Sequence, residues 1–427
     1  MASLLQRIAK RAPALRHRSF ALYWSGMFLS IAGSEMQLWA LYWHISKLSD
    51  NPIAVSGIGL ARFLPILLFG LIGGVFADQH NRRRIILITQ SVMALVALAL
   101  ALLTWSGQIQ IWHIYLLTAV QAAAISFDLP ARQSMVPNLI GDRRDLPSAF
   151  SLQSIASNTG AIVGPALSGL VIASFGQHFT YLFNAVSFLS VIAALLAIGP
   201  VAQQMLPKRA VTRLGFDFPA IAEGFRFILH QPIIFSSMML DFGATFFSSA
   251  NSLLPFVAQQ ILHVGPVEYG WLSAAQAIGA VTVGFFMAQR SDVRRQGTLL
   301  IGAVVVFGLA TILFGLSTGF WVAMLALILI GAADSLSTIL RNTIRQLQTP
   351  DYIRGRMVSI NQIFFQGGPH LGEIEAGAVA QAFGFVPAII SGGIGCIVTA
   401  ALVAWKWPHL RRYNGDEPTA VAAAPAD

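Results

Sequence analysis

The sequence predicts an all-α membrane protein of twelve transmembrane helices, and three observations carry that expectation. Charged residues make up only 11% of the 427 residues, while hydrophobic ones make up 56%, and the mean hydropathy is +0.67. A soluble domain carries about 25% charged residues to wet its surface. Apolar stretches of about 20 residues, the length that crosses a bilayer, recur twelve times. Lys and Arg residues collect in every second interval between them.

The stretches run roughly 20–45, 53–77, 84–105, 111–129, 148–174, 178–199, 233–260, 267–288, 298–316, 320–340, 357–382 and 386–407. Ahead of the first lies a basic, amphipathic segment, 1–18, with no apolar core and no small-residue cleavage site. The first span is therefore expected to serve as its own targeting signal. Turn formers and charges separate most spans, as in Ser49-Asp50-Asn51-Pro52 and Ser106-Gly107-Gln108. The exception is 200–232, which holds Lys208, Arg209, Arg213 and Arg226 and a semi-amphipathic piece over 218–229. It divides the chain into an N-terminal six-helix bundle over 1–199, a cytoplasmic linker over 200–232 and a C-terminal six-helix bundle over 233–408. The remainder, 409–427, ends in Ala, Pro and Asp and is expected to be a disordered cytoplasmic tail.

Orientation follows from the basic residues. With the N-terminus inside, the outer loops hold only Lys47, and Arg62 lies within the second span. The other Lys and Arg residues fall on the cytoplasmic side, which puts both termini there and makes the chain a multi-pass protein of the plasma (inner) membrane. The excess of 27 Lys+Arg over 18 Asp+Glu thus serves the lipid bilayer and not a nucleic acid. A single cysteine, Cys396, excludes an internal disulfide or a cysteine zinc site. The scattered histidines suggest no metal site. There is no Walker sequence and no Gly-x-Ser-x-Gly elbow, so no ATP-driven pump, no enzyme and no cofactor are expected.

An internal repeat links the halves. Arg132-Gln133-x-x-x-Pro137 recurs as Arg345-Gln346-x-x-x-Pro350, and Gly164, Gly169 and Gly176 have the spacing of Gly372, Gly377 and Gly384. Two similar halves in parallel are a known plan for transporters.

Three motifs sharpen this. Between the second and third spans runs Gly74-Val75-Phe76-Ala77-Asp78-Gln79-His80-Asn81-Arg82-Arg83-Arg84. It resembles the signature Gly-x-x-x-Asp-x-x-Gly-Arg-Arg of the major facilitator superfamily, with Asn81 in place of glycine. Gly74 is expected to allow close helix approach, Asp78 to pair with Arg82, Arg83 or a helix N-terminus, and Asn81 to take a left-handed turn. The resemblance implies a conformational latch on the cytoplasmic side. Its echo over 284–295 keeps the basic loop but has Ala288 where Asp78 sits. In the fifth span, Gly160-x-x-x-Gly164-Pro165-x-x-Ser168-Gly169 is similar to the family's antiporter motif, which the family places in exporters; ordinary close packing is the plainer reading. A third set, Asp334-Ser335, Arg341, Arg345-Gln346, Thr349-Pro350-Asp351 and Arg354-Gly355-Arg356, with Gly368-Pro369-His370-Leu371-Gly372-Glu373, resembles the branch of bacterial siderophore (enterobactin) and multidrug exporters. The resemblance implies two six-helix bundles related by a pseudo-two-fold along the membrane normal. The family's arginine motif on helix four is not found: the fourth span has no arginine before Arg132.

Ionisable residues inside spans are functional candidates, because insertion costs about 2.5 kcal/mol or more each. They are Glu35, Arg62, Asp241, Asp334, Arg341, Glu373 and Glu375. Glu35, in a polar stripe with Gly33, Ser34 and Gln37, is the first choice for a proton site. Asp334 and Arg341 share a helix face and stand equally as a structural pair. Asp241 has the alternative of a solvated place near the cytoplasmic end, and Glu373 and Glu375 of places near a membrane surface. Arg62 either neutralises Glu35 or binds an anionic substrate. Trp39, Tyr42 and Trp43 suit a membrane interface, and Phe28, Phe246 and Phe247 suit either lipid or a cavity. Together these features predict a secondary transporter, monomeric as the family default, that exports a small organic molecule by proton-coupled alternating access. An importer of a small metabolite and a non-transporting scaffold or sensor stay open.

Overall fold

The computed structural model describes residues 12–201, 203, 218–249, 251–290 and 293–415. Among them there is no strand. Thirteen helices of more than ten residues and one short one carry the fold. We number them α1 (Arg18–Leu48), α2 (Pro52–Gln79), α3 (Arg82–Trp105), α4 (Ile111–Leu139), α5 (Leu146–Phe175), α6 (Gln177–Ile198), α7 (Phe218–His230), α8 (Pro232–Phe247), α9 (Pro266–Ala288), α10 (Gln296–Leu316), α11 (Phe320–Gln348), α12 (Asp351–Phe383), α13 (Phe385–Lys406) and α14 (Pro408–Arg412).

Local chemistry sets the starts of these helices. Pro52, Pro232 and Pro266 occupy first positions, where the missing N–H costs nothing. Asn51 accepts the Ile53 N–H at 2.9 Å, and Glu268 accepts the Gly265 N–H at 3.1 Å. Single glycines separate α5 from α6 and α12 from α13. Gly176 and Gly384 both have φ of +91°, a conformation that side chains resist. Each donates its N–H to the carbonyl four residues back, Ile172 O and Ala380 O. The repeat found in the sequence is therefore repeated in backbone geometry.

Among the described residues, nine of these helices and the stretch Pro232–Ile261 that begins with α8 are long and apolar enough to cross a membrane. The two other long helices, α1 with 31 residues and α12 with 33, fall short in hydropathy, not length. They carry Glu35 and Glu373. Outward faces are apolar: Ile88, Leu95 and Leu102 on α3 and Val306, Leu309 and Leu316 on α10 are all exposed. That pattern suits lipid and not water. The chain is an all-α, multi-pass membrane protein.

The seventh span differs from its expected form. The stretch 233–260 is not one helix: α8 ends at Phe247, and the chain continues through a 3₁₀ turn (Asn251–Leu253), a short helical piece (Leu254–Phe256) and a π turn (Val257–Ile261). Polar Ser248, Ser249, Asn251 and Ser252 interrupt the apolar run there.

Packing divides the chain into two compact units. One comprises Met1–Leu48 and Ala61–Gly215, and the other Ser49–Leu60 and Phe216–Asp427. In the first, α1 packs on α5 and α6, and α3 on α4 and α6; in the second, α8 packs on α12 and α13, and α10 on α11 and α13. The opening turns of α2 join the second unit, where Ser56 Oγ donates to Ser252 Oγ at 3.0 Å.

The tail is ordered further than its composition suggests. Through 415 it docks on the start of α10: Tyr413 O accepts the Gly297 N–H at 3.0 Å, and Asn414 Oδ1 accepts the Arg295 N–H at 2.8 Å. These bonds satisfy donors that a helix start leaves open. Residues 416–427, with the rest of the expected tail, lie outside the described residues, as do Lys208, Arg209 and Arg213 of the linker.

Candidate functional site

The loop between α2 and α3 carries the first motif. Asn81 is not left-handed: its φ is −68°, and its side chain caps α3 by accepting the Arg84 N–H. Capping is the other task for which Asn is preferred. Among the described non-glycine residues of the two paired loops, the left-handed one is Arg295, φ +55°, at the start of α10. Gly74 does not provide a close approach, since a Cβ there would meet nothing within 4 Å. Gly73 does: its Cβ would run into the Ser126 carbonyl of α4. Asp78 lies on α2, but its side chain is outside the described residues. Arg82 donates from Nη1 to Ser134 O at 3.2 Å and Asn138 Oδ1 at 3.1 Å. Arg83 directs Nε and Nη2 to Leu195 O at 3.1 and 3.0 Å. That carbonyl lies in the last turn of α6, where a cation is favoured. Gln203 Oε1 accepts the Arg82 N–H at 3.0 Å, so each half ends in an amide side chain that caps the start of its own third helix: Gln203 on Arg82, Asn414 on Arg295.

The antiporter-type motif on α5 packs directly on α1. A Cβ at Gly160 would stand 2.6 Å from Ile31 Cγ2, and one at Gly164 2.5 Å from Glu35 Cβ and 2.8 Å from Ala32 O. Pro165, Ser168 and Gly169 are buried in the same helix. In the second unit the equivalent Gly372 faces the Phe246 backbone. Phe246 there takes the part that Glu35 plays in the first.

Glu35 and Arg62 line one cavity, of about 150 Å³, built by α1, α2 and α4. Thr118, Gln121, Leu38 and Ile125 complete most of its wall. A buried amide chain supports it: Gln37 Nε2 donates to Gln121 Oε1 at 2.6 Å, and Asn184 Nδ2 to Gln37 Oε1 at 2.8 Å. Among the described residues Glu35 and Arg62 form no direct ion pair. Phe28 stacks on Trp24, and Phe246 stacks on Phe242 and meets Phe247 edge to face; none lines this cavity. Trp39, Tyr42 and Trp43 are buried in protein and not at an exposed interface.

Asp241 is neither solvated nor terminal. It is 1% exposed and holds two arginines: Arg341 Nη1 lies 2.8 Å from Oδ1, and Arg345 Nη2 3.1 Å from Oδ2. Arg345 also donates from Nη1 to Asn361 Oδ1. Arg341 donates from Nη2 to Thr338 Oγ1 at 2.6 Å. Asp334, 46% exposed and 3.8 Å from Arg341, is a secondary partner. Glu373 is not near a surface: it is 4% exposed, ten residues from the end of α12, and faces Gly59.

One cluster escaped the sequence reading. Asp128, fully buried, pairs with Arg132 one turn on and accepts Thr89 Oγ1 at 2.6 Å and Gln90 Nε2 at 3.2 Å. The i,i+4 spacing signalled a helical pair. The apolar run ends at 129, yet α4 runs through Pro130 and Pro137 to Leu139, which brings Arg132 into the helix. Each repeat arginine reaches the first helix of its own half: Arg132 touches Met27 Sδ at 3.5 Å, and Arg345 holds Asp241. No cluster of metal-ligating side chains occurs among the described residues.

Apolar helices with buried charges on facing helices and a polar cavity at mid-helix are the features of a membrane transporter. Residues 9–421 match the transmembrane secretion effector family, and the chain belongs to that family of major facilitator transporters, which are not enzymes. It is 24% identical over 411 residues to the enterobactin exporter EntS of Shigella boydii serotype 18, covering 95% of this chain and 96% of that one. Against EntS of Citrobacter koseri it is 24% identical over 406 residues, covering 94% and 95%. Its fold is shared with the nucleoside transporter NupG (D323A mutant), at a TM-score of 0.69, 16% identity and coverage of 91% and 99%. A POT family transporter in complex with 5-aminolevulinic acid superposes with a TM-score of 0.71, 13% identity and coverage of 92% and 96%.

Proposed function

We propose that this protein is a secondary active exporter of a small organic molecule, siderophore-like or drug-like, that works by proton-coupled alternating access. The observation that carries the reading is the cavity at Glu35 and Arg62, held by the Gly164 contact of the antiporter-type motif. The names of the curated relatives support export and the siderophore class. Glu35 is the proton carrier in this scheme: a proton bound with different affinity in two states shifts their balance by that difference. Asp78, Arg82 and Arg83 are the cytoplasmic latch. The chain is arranged as two six-helix halves of twelve spans, sits as a monomer in the inner membrane, and keeps both termini in the cytoplasm, as the distribution of Lys and Arg favours.

The test is accumulation of siderophores and drugs in cells stripped of their own exporters, with and without this protein. Lower accumulation that a protonophore reverses is the expected result. Glu35→Gln abolishes dependence on the pH gradient, and Asp78→Asn stops transport without loss of expression. Higher accumulation of any cargo would make the protein an importer. Unchanged transport in Asp78→Asn would remove the latch.

A further inference from the structure

Transporters of small organic molecules handle cations, anions and neutral compounds, and the first-unit cavity carries features that choose among them. Resting on the export reading above, we propose that this cavity seats one neutral ring of the cargo, bearing hydroxyl or amide groups, and that Arg62 excludes organic cations from it.

Size comes first. A cavity of about 150 Å³ matches the engineered apolar cavity that takes up benzene, which is roughly 150 Å³. It therefore seats one ring of a cargo. Shape and polarity come next. Leu38, Leu41, Ala122 and Ile125 supply an apolar side, suited to a ring face. The other side is polar, and part of its bonding capacity is open. Thr118 is 4% exposed, and its Oγ1 has no hydrogen-bond partner. A buried hydroxyl left so costs free energy that a ligand group can recover. Gln121 Oε1 already accepts one hydrogen bond from Gln37, and Thr118 Oγ1 is an open neutral group on the wall.

Charge decides the class. Glu35 alone in such a cavity would draw cations, as an acid in a low-dielectric site does. Arg62 lines the same cavity, so the two formal charges sum to zero while Glu35 is ionised and to +1 when it carries its proton, and neither state favours a cation. A cation then meets the guanidinium at close range, and an anion meets the carboxylate. A neutral hydroxyl meets neither penalty: it donates to Glu35 and accepts from Arg62. In the second unit Phe246 stands at the place of Glu35, so the paired charges are a feature of the first-unit cavity.

The experiment uses two probes of one shape, benzyl alcohol and benzylammonium, with the full chain in lipid nanodiscs and saturation-transfer NMR, empty nanodiscs being subtracted. Wild type should bind the alcohol at least fivefold better than the cation. Ala122→Phe, which fills the cavity, should remove alcohol binding, and Thr118→Val should weaken it several-fold. Arg62→Gln should raise benzylammonium binding at least tenfold. Equal binding of the two probes by wild type would overturn the proposal. So would alcohol binding that survives both Ala122→Phe and Thr118→Val; if Ala122→Phe fails to fold, Thr118→Val alone decides. The efflux assay separates the two readings. Cavity-dependent binding without export refutes export and leaves the site standing, while export with cavity-independent binding refutes the site alone.

Discussion

Removing the carboxylate of Asp241 leaves two guanidinium groups facing each other in a buried place. Asp241, Arg341 and Arg345 are each 2% exposed or less, and the contacts are 2.8 and 3.1 Å. Two unit charges about 4 Å apart attract by roughly 4 kcal/mol at an effective dielectric of about 20. Desolvation offsets much of that in the intact cluster, but it remains when the carboxylate goes. Loss of one partner of a buried pair costs about 3–5 kcal/mol. Asp241→Asn should therefore destabilise the protein by that amount, read as the midpoint and slope of reversible unfolding in mixed micelles. Asp334→Asn is the control: its carboxylate is half-exposed and 3.8 Å from Arg341, so its loss should cost at most about 1 kcal/mol. The double variant Asp241→Asn/Arg345→Gln should be less damaged than the sum of its parts, with a coupling of about 0.5–3 kcal/mol. If Asp241→Asn lost no more stability than Asp334→Asn, the cluster would not be the electrostatic anchor of the second unit.

Further substitutions test the packing of the two motifs. Gly73→Ala should lower the melting temperature and the yield of folded protein, because its Cβ meets the Ser126 carbonyl, whereas Gly74→Ala should be neutral or slightly stabilising, since Ala is about 1 kcal/mol better than Gly in a helix. The reverse order in a thermal melt would restore the motif reading of Gly74. Gly164→Val should push α5 from α1 at a cost of about 1–3 kcal/mol and reduce transport more than yield; unimpaired transport would mean that the helices separate freely there. Asn81→Ala should lose about 0.5–2 kcal/mol of stability with the cap, and Asn81→Gly only a few tenths. Equal losses in the two melts would show that Asn81 does not act through its side chain.

Helix identity and membrane class were legible in the sequence because they depend on averages: apolar length, charge content and the placement of Lys and Arg. The repeat was legible too, since Gly176 and Gly384 must both adopt a conformation that side chains resist. Glu35 stood out as an acid in an apolar run, and it does line a cavity. What a spacing pattern cannot convey is which helix stands opposite. Asp241 stands in the sequence as a site candidate or a solvated acid near the cytoplasmic end, and α11 decides by bringing Arg341 and Arg345 to it. Asp128 and Arg132 lie at and beyond the end of the apolar run over 111–129, and tertiary packing carries α4 on through Pro130 and Pro137 to Leu139. Gly73 and Gly74 are chemically the same residue, and only the approach of α4 makes one indispensable and the other free. Hydropathy and residue chemistry are properties of the chain taken locally. The partners of a buried charge, and the glycine that a neighbouring backbone requires, are properties of where the other helices lie.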